Sequence, residues 1–272
     1  MKSQLIEDNK RSLFGQLLKR WREHRGFSQL DLALASNVSQ RHISFLESGR
    51  ANPSREMIVE LATVLDIPLR EQNMMLTAAG FTAIYSQSDL QDPQVEPIRK
   101  AIEFILHQHE PFPAVVVDRY WNLLQSNRAA TALMNLLISP DSKQLKVNLM
   151  RLMFDPKGLR PVVSNWKEVA AHLIQRVQRE ALAAGQNTQS TALLNELLTY
   201  PDIPHSNDLN WHSPLLTVNF LKDGLGFNFF STITTLGTPY DVTLQELRIE
   251  CLFAADDVTK QNMIALQAKQ LD

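Results

Sequence analysis

Cysteine is what the 272-residue chain has least of. It has one, Cys251, so no internal disulfide can form, which suits a reducing, cytoplasmic compartment. Long apolar runs are missing too. None approaches the ~18 residues that a bilayer-spanning helix needs. The opening MKSQLIEDNKRS lacks the apolar core of a signal peptide, so a cytoplasmic protein with no membrane partner is expected. Catalytic signatures are absent: there is no GxGxxG, no Walker loop, no GxSxG and no HExxH. Gly224-Leu225-Gly226 follows a strand pattern but leads into another strand, not a helix. No internal repeat and no low-complexity segment occurs. Net charge is −2, so the chain as a whole is neither strongly acidic nor basic. At 44% hydrophobic and 21% charged, its length suffices for one large domain or two ordinary ones.

What is present is uneven. Residues 10–55 hold nine Lys/Arg against three Asp/Glu, while residues 56–272 hold seventeen against twenty-four. A basic block of this kind is an electrostatic footprint for phosphate. Inside it, Ser28 to Gly49 (SQLDLALASNVSQRHISFLESG) reads as two short helices and a tight turn. Ser28 caps the first helix and Asp31 can complete a capping box. Leu32 and Ala33 face inward. Asn37 stands where the chain must turn left-handed, and Ser39 caps the second helix. Ile43 and Leu46 bury together, leaving Gln40, Arg41 and Ser44 on the outside at the helix N-terminus. Leu13, Phe14, Leu17, Leu18 and Trp21 predict an amphipathic helix over 11–25, and two more helices follow between Ser54 and Gly80.

Gln29, Leu32, Ala33, Val38, Ser39, Ile43, Glu47, Gly49 and Pro53, in order and without gaps, resemble the helix-turn-helix of the XRE/Cro-C1 family. The resemblance implies a five-helix module that reads DNA in the major groove. Base contacts are expected from Gln40, Arg41 and Ser44, since an amide pairs with adenine and a guanidinium with guanine. Phosphate contacts are expected from Ser28, Gln29, Ser39, Arg50 and Asn52. His42 faces either the duplex or the packed side. Glu47 reads as an ion-pair partner of a first-helix arginine.

Residues 82–97 are polar and aperiodic, with Pro93 and Pro97, and read as a linker. A helix over 98–107 leads to Pro111-Phe112-Pro113. Then come a strand at Ala114–Val117, a turn at Asp118-Arg119, a strand at Tyr120–Leu124 and a helix opened by Asn127. Helical patterns run over 166–184 and 188–198. From Pro214 the period becomes two. Leu216, Val218 and Phe220 give a strand, Lys222-Asp223-Gly224 a hairpin turn, and Phe227, Phe229 and Ile233 one face of the return. In a last strand Leu247, Ile249, Cys251 and Phe253 read as inward, alternating with outward Glu246, Arg248 and Glu250.

PFPAVVVDRYWNLLQSNRAATAL, NLMRLMF, NWKEVA and FSTITTLGTPYDVTLQELRIECLFAADD resemble the ligand-binding domain of the MmyB-like transcription regulators. Asn165 stands before Trp166 where that family usually has an acidic residue, and Pro201 to Ser213 matches poorly. The resemblance implies a PAS-like fold around a cavity, and a small apolar ligand, with fatty-acid-like molecules among the candidates. The expected lining is Phe112, Trp121, Leu152, Phe154, Trp166, Phe227 and Phe229, with Asn127 and Arg160 as polar anchors. No cofactor or metal is expected: His107 and His109 point to different helix faces, and His205 and His212 lie in an irregular stretch with Asp202 and Asp208.

The expected fold class is therefore α+β. An all-α, five-helix DNA-binding domain over 8–80 and a linker over 81–97 precede a PAS-like α/β sensor domain over 98–260 with a five-stranded antiparallel sheet. The expected function is a sequence-specific regulator, not an enzyme, that meets double-stranded DNA as a homodimer and senses a small apolar ligand. Two other readings stay open: a second domain that only dimerises or docks a protein, and an enzyme tethered to DNA.

Overall fold

The computed structural model describes residues 2–138, 147–183, 188–203, 215–237 and 239–268. His205, Asp208 and His212 lie outside them. The chain divides into two units. One comprises residues 2–88 together with residues 239–245. The other runs over 89–237 and resumes at 246.

The first unit is built from α1 (Lys2–His24), α2 (Gln29–Ala35), α3 (Gln40–Glu47), α4 (Arg55–Val64) and α5 (Leu69–Ala78). Helices α2, α3 and α4 each start where a serine can satisfy the first free amides. Ser28 Oγ accepts from Asp31 N while Asp31 Oδ2 accepts from Ser28 N, a complete capping box. Ser39 and Ser54 cap α3 and α4 by accepting from His42 N and Met57 N. Asn37 makes the turn between α2 and α3 at φ 51°. Phe14, Leu18, Trp21, Leu32, Ile43, Leu46, Ile58, Leu61, Met75 and Leu76 form one core. Gly15 admits the end of α3 against α1: a Cβ there would lie 2.5 Å from the Glu47 carbonyl oxygen. The segment 239–245 joins this unit through buried Asp241, which accepts from Ser88 N and Ser88 Oγ at 3.0 and 2.9 Å. Gln245 Oε1 accepts from Leu69 N, the first amide of α5, at 2.8 Å.

The second unit opens with α6 (Glu96–Gln108), which begins before the expected 98. Its sheet, among the described residues, has five antiparallel strands: β1 (Ala114–Val117), β2 (Leu123–Ser126), β3 (Val218–Lys222), β4 (Leu225–Thr234) and β5 (Arg248–Ala254), in the order β2-β1-β5-β4-β3. The β3–β4 hairpin turns on Asp223 and Gly224, both at positive φ, the pairing a two-residue turn demands. Between β2 and β3 lie α7 (Arg128–Leu137), α8 (Leu149–Phe154), α9 (Trp166–Ala183) and α10 (Thr188–Leu197); α11 (Val242–Glu246) precedes β5, and α12 (Asp257–Ala268) follows it and packs on β4 and α7. The five helices and the five-stranded antiparallel sheet give the α+β class that the residue pattern implied.

Two details differ from the pattern. The second strand starts at Leu123, not Tyr120, because Trp121 sits at φ 67° and belongs to the turn. Asp118 holds that turn: its Oδ1 accepts from Tyr120 N at 2.8 Å and Asn122 N at 2.9 Å. Leu247, Ile249 and Cys251 are buried as the pattern implied, but the cavity lies on the opposite face of β5. Glu250 pairs with Val115 and Arg248 with Val117, so both share the face of those core valines; Cys251 and Ile249 pair with Ala114 and Val116 on the other face. Both faces are buried, so alternation of apolar and polar residues does not tell which one meets the helices.

Candidate DNA-reading face and ligand cavity

In the first unit, Ile43 and Leu46 are fully buried against the core, which turns the opposite side of α3 outward. Gln40 and Arg41 are exposed on its first turn; His42 and Ser44 are half-buried. Arg41 and Arg50 both lie 5.2 Å from the ring of Phe45, so one aromatic side chain carries two guanidinium groups on the same outer surface. Residue patterning missed Phe45, whose position between two arginines was its signal. Arg50 Nε donates to Ser48 Oγ at 3.0 Å, and Asn52 is exposed beside it. Ser28 and Ser39 accept cap bonds and keep their hydroxyl hydrogens for a further acceptor.

Gln29 is engaged inside. Its Nε2 donates to Glu47 Oε2 at 2.8 Å, and Glu47 is the partner of Arg22 on α1: Arg22 Nε donates to Oε1 at 2.5 Å and Nη2 to Oε2 at 3.0 Å. Arg22 Nη1 donates to the Phe27 carbonyl at 2.8 Å. The bidentate pair pins the end of α3 to α1 and thereby sets how the reading face is presented.

The second unit holds a cavity of about 310 Å³ between the sheet and α7, α8 and α9. Leu133, Leu137, Met150, Leu159, Leu173 and Val115 supply much of an apolar wall. Among the described residues four polar side chains reach it: His172 and Arg176, one turn apart on α9, Ser231 on β4 and Glu250 on β5. Ser231 Oγ donates to Glu250 Oε1 at 2.7 Å, and Arg176 Nη1 lies 3.6 Å from the same oxygen. Two guanidiniums lie over the ring of buried Trp121, Arg176 at 5.5 Å and Arg248 at 5.4 Å. The Trp121 Nε1 donates to Glu180 Oε2 at 2.8 Å, and Arg248 pairs with Glu180 Oε1 at 2.7 Å. Burial, then the charges of Arg176 and Arg179, push the His172 imidazole below its usual pKa, so it is neutral at pH 7.

Of the residues expected to line the cavity, Trp121, Leu152 and Phe229 do. Phe112, Phe154, Trp166 and Phe227 do not. Phe154 packs edge-on against Trp166, with ring centroids 5.1 Å apart, and Phe227 stacks on Phe229 at 6.3 Å. These are packing contacts. The two expected polar anchors require correction. Asn127 caps α7, its Oδ1 accepting from Ala130 N and Ala114 N while its Nδ2 donates to the carbonyls of Leu106 and Phe112, so its amide is fully used by the backbone. Arg160 pairs with Asp202 and lies over Trp166, away from the cavity lining. Glu250 was unread as a cavity group because it looks like the solvent side of an alternating strand. The i, i+4 spacing of His172 and Arg176 on a helix that buries its other face was the available sign.

Among the described residues no three or more His, Cys, Asp or Glu side chains are grouped to hold a metal ion, and no helix is long and apolar enough to cross a membrane. Cys251 is a buried thiol whose pKa burial, and then Glu250, push upward.

Comparison with known proteins gives two family matches. The model of the MmyB-like transcription regulator ligand binding domain matches residues 98–266, and a helix-turn-helix model matches residues 18–72. A "Putative HTH-type transcriptional regulatory protein" of Methanococcus maripaludis is 32% identical over 120 residues, covering 42% of this chain and 33% of its own length. One of the same description from Methanococcus vannielii is 31% identical over 119 residues, with the same coverage. The chain thus spans a third of these curated relatives. A solved structure titled "Structure of an RNA-binding Light-Oxygen-Voltage Receptor" aligns over 96% of this chain and 63% of its own at 13% identity, but the TM-score is 0.29, too low to bear on fold or function.

Proposed function

The chain belongs to the MmyB-like transcription regulators, and on that premise we propose that it binds a DNA operator through α3 and adjusts that binding to a small, mainly apolar ligand held in the cavity of the second unit. The observation that carries the DNA reading is the outward first turn of α3, where Gln40 and Arg41 are exposed while Ile43 and Leu46 anchor the helix from behind. Side chains at the N-terminal end of such a helix reach base edges in the major groove. Arg50, Asn52, Ser28 and Ser39 are the phosphate contacts. Gln29 acts from within, steadying Glu47.

The cavity supports the sensing half of the reading. Its volume falls at the lower end of small-ligand pockets, its wall is leucine and methionine, and its polar groups are few and gathered. A ligand regulates only if it favours one arrangement of the protein over another. Two reading heads on two half-sites, hence a homodimer on DNA, fit a module that offers few base contacts of its own. A DNA reading face and a single buried thiol support a cytoplasmic setting.

Selection of duplexes from a random pool by the full chain, followed by sedimentation of the complex, tests the reading. An enriched two-fold motif bound by two chains is expected. Recovery of duplexes without any shared sequence overturns it.

A further inference from the structure

Resting on the ligand-cavity reading above, we infer that the ligand's polar end is an uncharged hydrogen-bonding group, an alcohol or a primary amide, that donates to Glu250 and accepts from Arg176 or His172. The inference comes from the charge balance at the polar end of the cavity. Arg176 and Glu250 line it; behind them Arg248 lies over the Trp121 ring, as Arg176 does, and Glu180 accepts from the Trp121 Nε1. Among the described residues there, two guanidiniums stand against two carboxylates, with neutral His172 beside them.

That balance selects against a charged head. An ionised carboxylate at Arg176 brings a second anion against a guanidinium that already faces Glu250, and the half-buried Glu250 side chain then meets that anion. An ammonium pairs with Glu250 but meets Arg176. An alcohol or amide needs neither exchange, because it has a donor for the carboxylate and an acceptor for the guanidinium or the imidazole. Arg176 also cannot swing aside freely, since it lies over the Trp121 ring. The sequence resemblance put fatty-acid-like molecules among the candidates; the cavity's own charges favour their neutral counterparts.

Isothermal titration of the full chain at about pH 7.5, where an alkyl carboxylate and an alkyl amine are both charged, separates the classes with three probes of equal chain length: decan-1-ol, decanoate and decylammonium. Nile red reports independently whether the cavity takes an apolar molecule. Decan-1-ol should bind about tenfold or more tighter than either ion, since opposing like charges cost on the order of a kcal/mol or several. Glu250→Gln should turn the preference to decanoate and Arg176→Gln to decylammonium, and each should weaken decan-1-ol by about three- to tenfold, because its hydrogen bond to a charged group becomes one to an amide. Circular dichroism matching the parent confirms that each variant is folded. Decanoate binding tighter than decan-1-ol in the parent, or a preference that neither variant moves, overturns the inference while leaving the cavity reading intact. Failure of Nile red and of all three probes overturns both.

Discussion

The Arg22–Glu47 pair offers the sharpest test of how the reading face is held. Its side chains are 9% and 4% exposed, and Glu47 accepts two hydrogen bonds from Arg22 and one from Gln29. Glu47→Ala removes all three and strands the guanidinium, although Arg22 keeps its bond to the Phe27 carbonyl and Glu23 3.6 Å away. Breaking a buried pair from one side costs about 3–5 kcal/mol; those residual partners place the expected loss near the lower end, about 3 kcal/mol. Hydrogen exchange of the full chain, followed by mass spectrometry, reads this locally. Amides of α1 to α3 should lose about two decades of protection, the equivalent of 3 kcal/mol at about 1.4 kcal/mol per decade. Peptides from the sheet of the second unit should not change. The paired change Arg22→Met with Glu47→Leu should restore most of the loss, because apolar groups of similar size replace a buried ion pair at little cost. A loss below about 1 kcal/mol for Glu47→Ala, the range of exposed pairs, would refute the argument that this pair pins α3. So would a double variant as weak as the single one.

Arg41→Ala should lower sequence preference by about 1–3 kcal/mol while weak non-specific binding remains, read by fluorescence anisotropy on an operator and a scrambled duplex; a uniform loss on both would make Arg41 a phosphate contact. Leu133→Trp puts an indole into the cavity lining, so Nile red binding should disappear while the melting temperature holds or rises; a drop of several degrees would mean that the space is already filled. Asp241 is pushed up by burial, but the hydroxyls of Ser86 and Ser88 and the amides of Leu244 and Ser88 outweigh that and hold its carboxyl below the ordinary aspartate range. Its folded pKa lies below its unfolded value of about 3.9, so its contribution is complete above that pH and fades as pH falls through the folded value. Exchange of the Ser88 and Leu244 amides should therefore quicken below about pH 4, and Asp241→Asn should abolish that acid step.

Much of the first unit is legible in the residues because its determinants are local. A serine followed by an acidic residue three positions on is a cap wherever the chain goes, and Asn37 can turn left-handed without help from a distant partner. Helical spacing alone brings Ile43 and Leu46 to one side and Gln40 and Arg41 to the other. The same holds for the Asp223-Gly224 turn and for the helix that Asn127 opens. Gly15 was unreadable as a contact point, since its meaning is the approach of a carbonyl 32 residues away in sequence. The wider reach of Asn127 was unreadable for a like reason: besides capping its own helix, its amide bonds Leu106 in α6 and the stretch from Phe112 to Ala114.

Alternation, capping and turn chemistry in the sequence marked most of the helices and strands, though not α11 or α12, and which side of α3 faces outward, because each depends on residues within a turn or two of one another. The tertiary structure alone decided which face of β5 meets the cavity. With Ala114, Val116, Ile249 and Cys251 buried on one side and Val115 and Val117 on the other, neither face is left to solvent, and polarity stops marking direction. Only the pairing of Val115 with Glu250 and Val117 with Arg248 turns the two charged side chains toward the helices, where Arg176, Glu180 and Trp121 receive them.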